Sequence, residues 1–263
     1  MKIATYNLNS VNARIENLIL WLGQAKPDIV LLQEIKCEYN SFPFFEIRAA
    51  GYEARILGQK SYNGVAILSK TPIKVIREGL PDFEDENARY LEAEIKVDTQ
   101  TWRVASIYLP NGNPPYNDSS DKSKYIYKLK WMDALLKYAE ELQKSDLPVI
   151  LGGDFNVILT PDDVYDTKPF LTNALFLPEV RQKLKMLEYG GFYDSFRILH
   201  PKENGYTYWD YGGNALTADF GMRIDYLFAN APAVDRLKSC TVDKSPRTSV
   251  KPSDHTALTA EFE

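Results

Sequence analysis

A buried-looking run, Leu147-Pro148-Val149-Ile150-Leu151, leads into Gly152-Gly153-Asp154-Phe155-Asn156. About a hundred residues later the chain carries Ser253-Asp254-His255, while Asn7 and Glu34 each close an apolar run near the start. One fold able to gather an Asn, a Glu, an Asp-x-Asn and an Asp-His would make an acidic pocket for a divalent cation beside a histidine. Such a pocket suits hydrolysis of a phosphodiester.

Each piece has a plainer reading. Glu34 ends a fully apolar strand, where a carboxylate is costly unless paired or metal-bound; the competing reading is a strand-end glutamate in solvent. Gln33 beside it is expected on the opposite face. Asp154 and Asn156, two apart, share one side of an extended segment. Gly152 and Gly153 allow a turn and the close approach of a ligand; an ordinary β-turn is the alternative. Asp254 and His255 are neighbours in a strand and point apart, so another acid must orient the histidine. Asp225, in Arg223-Ile224-Asp225-Tyr226, is the candidate. Such an acid fixes the tautomer and favours the charged ring. His200, before Pro201, reads as a surface residue. Tyr108 ends Val104-Ala105-Ser106-Ile107-Tyr108 and is singled out by position, since any of 17 tyrosines can serve as core packing.

The elements that must hold these residues can be read from periodicity. Residues 2–8 form a strand, 11–25 an amphipathic helix with Ile15, Leu18, Ile19 and Leu22 on one face, and 28–34 a strand buried on both faces. Runs at 52–58, 63–69, 73–79, 89–97 and 102–109, divided by turn signals, imply antiparallel strands. The longest helix covers 122–144, with Tyr125, Leu129, Met132, Leu136 and Ala139 inward. A short helix lies near 178–188 in an irregular stretch (157–190), and strands recur at 223–229, 236–242 and 256–262. Two mixed sheets packed face to face, with helices outside, account best for this order. Asn7, Glu34, Tyr108, Asp154 and Asn156 then fall at strand C-terminal ends on one rim, the usual place for a site.

With 44% hydrophobic residues in 263, the chain can bury a large core, and no linker or repeat divides it, so 1–263 reads as one domain. No apolar run spans a bilayer. The start lacks a signal-peptide cleavage pattern, which points to a cytoplasmic protein, nucleoid-associated if bacterial. Cys37 and Cys240 read as two unpaired thiols. A net charge of −5 argues against nucleic acid as a partner. A carboxylate pocket lowers net charge by itself, however, and Lys122, Lys124, Lys128, Lys130 and Lys137 cluster on the long helix. That cluster is either a phosphate track or, more plainly, a solvated face. The segments around Tyr208-Trp209 and Met222-Arg223-Ile224 suit an extruded nucleotide or satellite core packing.

Taken together the chain resembles the exonuclease III family of apurinic/apyrimidinic endonucleases, within the endonuclease/exonuclease/phosphatase fold. The resemblance rests on Thr5-Tyr6-Asn7-Leu8-Asn9, Leu32-Gln33-Glu34-Ile35-Lys36-Cys37, Asn63-Gly64-Val65-Ala66-Ile67-Leu68-Ser69 and Tyr108-Leu109-Pro110-Asn111-Gly112. It continues through Gly152-Gly153-Asp154-Phe155-Asn156-Val157, Tyr206-Thr207-Tyr208-Trp209, Met222-Arg223-Ile224-Asp225-Tyr226 and Ser253-Asp254-His255, covering essentially the whole chain. It implies a four-layer α/β-sandwich of two packed mixed sheets flanked by helices, with the site at one end of the sheets. It makes Glu34 the principal ligand of Mg²⁺, or Mn²⁺ in its place, with Asn7 and Asp254 nearby and Asp154, Asn156 and His255 facing the ion. Asp154 would activate water, Asn156 orient it, His255 (held by Asp225) donate to phosphate, and Tyr108 contact phosphate or assist the leaving group. Either Asp154 or a Tyr108 phenolate takes the proton, and one metal or two take part.

The resemblance also implies a DNA-facing set of Asn111, Tyr208, Trp209, Met222 and Ile224. Met222 replaces a tryptophan of some relatives, and Asn12 an arginine. The activity implied is incision of duplex DNA 5′ to abasic sites, with repair of blocked 3′ ends and some 3′→5′ exonuclease, by a monomer without a membrane partner. Relatives with the same residues act on inositol phosphates, sphingomyelin or other nucleic acids. A DNA-binding protein on a dead nuclease scaffold is a further alternative, but it needs a lost catalytic residue, and none is missing.

Overall fold

Two apolar runs near the start cannot stay in water, and they become neighbouring central strands. The computed structural model describes residues 1–115 and 122–263. Strand β1 (Lys2–Asn7) is joined through helix α1 (Ile15–Ala25) to strand β2 (Ile29–Gln33), and the strands pair in parallel with Asn7 opposite Gln33. Parallel neighbours require such a crossover. Lys26 closes α1 in the left-handed conformation, one residue before Pro27.

The chain continues through helix α2 (Phe44–Ala49), β3 (Glu53–Leu57), β4 (Val65–Ser69), β5 (Ile73–Glu78), β6 (Tyr90–Val97) and β7 (Gln100–Tyr108). These strands pair antiparallel, as expected, but the turn after Ser69 divides them between two sheets. Helix α3 (Ser123–Leu142) then crosses to β8 (Val149–Asp154), which pairs parallel to β7. Helix α4 (Pro178–Tyr189), β9 (Tyr193–Asp194), α5 (Ser195–Leu199), β10 (Asp225–Ala229), α6 (Ala231–Val234), β11 (Leu237–Asp243) and β12 (Ala257–Phe262) complete the order.

The strand orders are β11-β12-β1-β2-β4-β3 and β5-β6-β7-β8-β10-β9. Each sheet is antiparallel except for one central parallel pair bridged by a helix. One apolar core lies between the sheets (Leu31, Ile67, Val104, Ile150, Leu227), one under α1 and α2, and one under α3 and α4. The result is the four-layer sandwich. Strand β1 lies against β8 and β2 against β7, so both parallel pairs open their C-terminal ends on the same rim. Among the described residues no helix is long and apolar enough to cross a membrane. Cys37 and Cys240 are buried free thiols.

Two expectations need correction. Gly152 and Gly153 do not form a turn or admit a ligand; they are paired residues of β8, with Ser106 and Ile107 on one side and Leu227 and Tyr226 on the other. A Cβ on Gly153 would sit 1.9 Å from the Ile107 carbonyl oxygen, and one on Gly152 2.5 Å from Leu31 of the facing sheet. Bare backbone is needed there so that strands and sheets can close. The lysines of α3 do not form one solvated face either. Tyr125, Trp131, Met132, Leu135, Tyr138 and Leu142 turn inward, and Lys128 is fully buried with them.

Candidate active site

The two parallel strand pairs deliver four side chains to one rim. Asn7 ends β1 and is fully buried; its Nδ2 donates to Glu34 Oε1 and to Asp154 Oδ2, both at 2.9 Å. Its Oδ1 is occupied by the Asn9 amide at 3.0 Å. Glu34 follows β2 with a φ of 49°. A left-handed residue breaks strand alternation, so Gln33 and Glu34 both face the other sheet, contrary to expectation. Gln33 donates to Ser106 of β7 at 3.1 Å, while Glu34 reaches the Tyr108 hydroxyl. Burial works to raise the Glu34 carboxyl, but Lys36 at 2.8 Å and the Asn7 amide outweigh it, leaving the group below its ordinary range.

Asp154 ends β8. Burial raises its pKa, the His255 charge pulls it back, and Asp225 and Glu34 push it up again, for a net rise. Asn156 also has a φ of 49°, so it reaches the pocket by a left-handed turn rather than by extension. Its Nδ2 donates to the Leu109 carbonyl and its Oδ1 accepts from Asn111 Nδ2, both at 3.0 Å.

His255 precedes β12. Its Nδ1 lies 2.8 Å from Asp225 Oδ2, and its Nε2 3.7 Å from Asp154. Asp225 is therefore the orienting acid, as its position in the sequence implied. Thr207 Oγ1 donates to the same Asp225 oxygen at 2.6 Å and fixes it. Burial disfavours the charged ring, but Asp225 and Asp154 outweigh it and hold the ring protonated up to about 10. Tyr208 packs edge-on against the imidazole, centroids 5.0 Å apart. Tyr108 lies under the Arg89 guanidinium, and burial with the Glu34 and Asp154 charges pushes its phenol well above the usual range.

These groups line a cavity of about 290 Å³ with polar Glu34, Asn111, Asp154, Asn156, Asp254 and His255 on one side. Tyr208, Met222 and Ile224 supply an apolar wall, joined by Phe170 and Leu175. Asp254 sits at the rim, its Oδ1 taken by Asn9 Nδ2 at 3.1 Å. Trp209 does not reach the cavity: it is fully buried, donates to Asp219 and packs on Tyr206, so core packing explains it. His200 is half-buried rather than a free surface residue, stacked on Phe196 and bonded to Glu203 and the Cys240 carbonyl.

Glu34, Asp154 and His255 each offer a ligand atom, all within 4.8 Å of one another. Two carboxylates on a shared amide fit a hard divalent cation. Sequence reasoning missed Lys36, Asn9, Thr207, Phe170, Asn173 and Leu175. Asn9 and Thr207 sit one or two residues from motif positions and were findable by proximity. Phe170, Asn173 and Leu175 lie in the irregular stretch, where no period marks an inward face.

Comparisons with known proteins agree. The model of the "Endonuclease/Exonuclease/phosphatase family" matches residues 4–255. Exodeoxyribonuclease III of Haemophilus influenzae is 31% identical, with 100% of each chain covered. An AP endonuclease from Archaeoglobus fulgidus superposes with a TM-score of 0.90 at 33% identity, covering 100% of this chain and 99% of that one. A 3′ phosphatase from Neisseria, solved with a product DNA hairpin, gives 0.92 at 32% identity over 100% and 99%.

Proposed function

The chain belongs to the endonuclease/exonuclease/phosphatase family, in its exonuclease III branch of DNA-repair nucleases, and from that premise we propose that it cuts duplex DNA 5′ to abasic sites. Cleaning of blocked 3′ ends and a weaker 3′→5′ exonuclease accompany the cut, and the chain acts as a single-domain monomer. The observation that carries this reading is the cavity itself. A hydrolytic set of Glu34, Asp154, Asn156 and His255 shares one cavity with the Tyr208 ring and the apolar side chains of Met222 and Ile224. These side chains suit a deoxyribose stripped of its base.

Glu34 would be the principal ligand of the divalent ion, Mg²⁺ or Mn²⁺, with Asp154 beside it and Asp254 at the rim; when bound, the ion offsets charge on the phosphate and the departing 3′ oxygen. Asn7 turns its N–H rather than its oxygen toward the carboxylates, so it orients ligands and is not one. Asp154, a carboxylate held above its ordinary range, accepts the proton of the attacking water, since a base works best near operating pH. Asn156 fixes that water. His255, with Nδ1 committed to Asp225, points Nε2 at the space where a phosphate oxygen sits. The Asp225 and Asp154 carboxylates favour the charged ring, and a charged imidazole suits donation to phosphate. Tyr108 stays a phenol and donates to the phosphate.

The test is a labelled duplex with one tetrahydrofuran abasic analogue and, in parallel, a nicked duplex ending in a 3′ phosphate, each with Mg²⁺ or EDTA. A Mg²⁺-dependent single cut 5′ to the analogue is expected. Release of phosphate from the nick without any cut would move the principal substrate to 3′ ends, and inertness toward both would sink the repair reading.

A further inference from the structure

Lys128 is the one lysine of the α3 cluster that turns wholly inward, and all three of its protons are used. Its Nζ donates to the backbone carbonyls of Asn111 at 3.1 Å, Asn156 at 2.6 Å and Ala174 at 3.1 Å. An ammonium has three donors and no acceptor, so its hydrogen bonding is complete. Burial works against the charge and Asp154 supports it. Leaving a buried ammonium with fewer partners is costly, and that cost ties the three carbonyls together.

The carbonyls belong to three separate segments that build the cavity. Asn111 lies in the loop after β7, Asn156 in the loop after β8, and Ala174 follows Asn173 in the stretch supplying Phe170 and Leu175. On the cavity side the segments are knit by side-chain amides: Asn111 to Asn156, Asn113 to Asn173, and the Ala174 N–H to Asn113. Lys128 holds the same segments from behind. Gly112, with a φ of 81°, is the seat for its stem; a Cβ there would lie 2.7 Å from Lys128 Cδ.

We propose that Lys128 is a positioning residue for the hydrolytic step, setting the spacing of Asn156 and Asn111 against Asp154 without touching substrate. This rests on the proposed roles of Asp154 and Asn156. Lys128 is fully buried and does not line the cavity, so it is no phosphate contact, and substrate affinity is set elsewhere. Its loss therefore acts on turnover.

Three measurements on the full chain test this. Lys128→Met keeps the stem and removes the donors. Turnover at saturating abasic duplex and Mg²⁺ should fall about a hundredfold, the usual result of a displacement near 1 Å, with KM nearly unchanged. In DNA-free protein the side-chain amide NMR signals of Asn111 and Asn156 should shift or broaden. Lys128→Arg, which restores donors to the same carbonyls, should recover part of the turnover and sharpen those signals. Should the Met variant fail to fold, Lys128→Gln carries the same comparison with two donors. A folded Met or Gln variant with wild-type turnover, or with losses confined to KM, overturns the proposal, as do unmoved amide signals. Because the NMR arm needs no substrate, an inert wild-type enzyme would refute the proposed function and leave this inference to be judged by itself.

Discussion

Glu34 and Asn156 enter the site through one backbone choice. Both have a φ of 49°, a region that costs a side-chain-bearing residue on the order of 1–2 kcal/mol. Each gives up stability to break strand alternation and turn its side chain toward the cavity. Asp154 adds to that cost, being buried beside Asp225 and Glu34 with its ionised form disfavoured. Asp154→Asn keeps the shape and removes the charge. We expect turnover on abasic duplex to drop about 10²–10⁴-fold, the usual contribution of a general base. Thermal unfolding in EDTA should rise at the same time, because a destabilising charge is gone. Measuring both on one preparation separates the reading from damage: a variant that loses turnover and melts lower would mean that Asp154 is a structural acid.

At the scale of elements, helix α4 offers a test remote from the chemistry. Its inner face carries Val180, Leu184 and Leu187, and Glu188 lies beside the Arg223 network, where Arg223 meets Asp163 at 2.7 Å and Asp194 at 2.5 Å. Burial and the charges of Asp194 and Asp163 push the Glu188 carboxyl from 4.5 up to about 7, against Arg223 and Lys185. Below the lower value both folded and unfolded chains hold the proton and nothing is lost. Between the two values the unfolded chain releases it first, so stability falls as pH rises, and the deficit is full above the upper one. Glu188→Gln should therefore melt like the parent at acid pH and higher at pH above about 7, where screening of this partly exposed group leaves roughly 2–4 °C. A gain of equal size at every pH would mean a packing effect.

The same scale shows what could be read in advance. Strands β2 and β8 announced themselves because strands buried on both faces are continuous apolar runs, β1 and β7 were read from alternation, and the polar last residues marked the rim. The split of the antiparallel middle into two sheets could not be read, because alternation gives the face of a strand and not its partner. The roles of Gly152, Gly153 and Lys128 were misjudged for a related reason. Close sheet approach and a carbonyl clamp are tertiary facts, invisible to a window of neighbouring residues. Asp225, named as the candidate because strand parity was expected to turn Asp254 away, does lie 2.8 Å from His255 Nδ1, although both Asp254 and His255 precede the strand.

For the whole molecule, the net charge of −5 repels DNA at long range, so binding must depend on where the cations lie. Of the α3 lysines, Lys128 is buried and Lys137 is paired with Asp82 at 2.8 Å. Lys124 instead lines a groove of about 540 Å³ with Arg89, Asn63 and Asn87. That groove shares Asn111 and Asn113 with the candidate active-site cavity, so a strand seated there can run along it. A repulsive total and an attractive groove are separable by salt, because exposed charges more than a Debye length apart are screened, whereas phosphate contacts release counterions. Affinity for an abasic duplex in EDTA should fall with salt, by roughly a hundredfold between about 50 and 200 mM if about four phosphates are engaged. Lys124→Ala should lower the slope of log K against log salt by about 0.9, the share of one contact. Fluorescence anisotropy across the titration reads both. A slope unchanged by Lys124→Ala would take the DNA path off this groove, and a flat response in the parent would mean that this surface does not hold a polyanion.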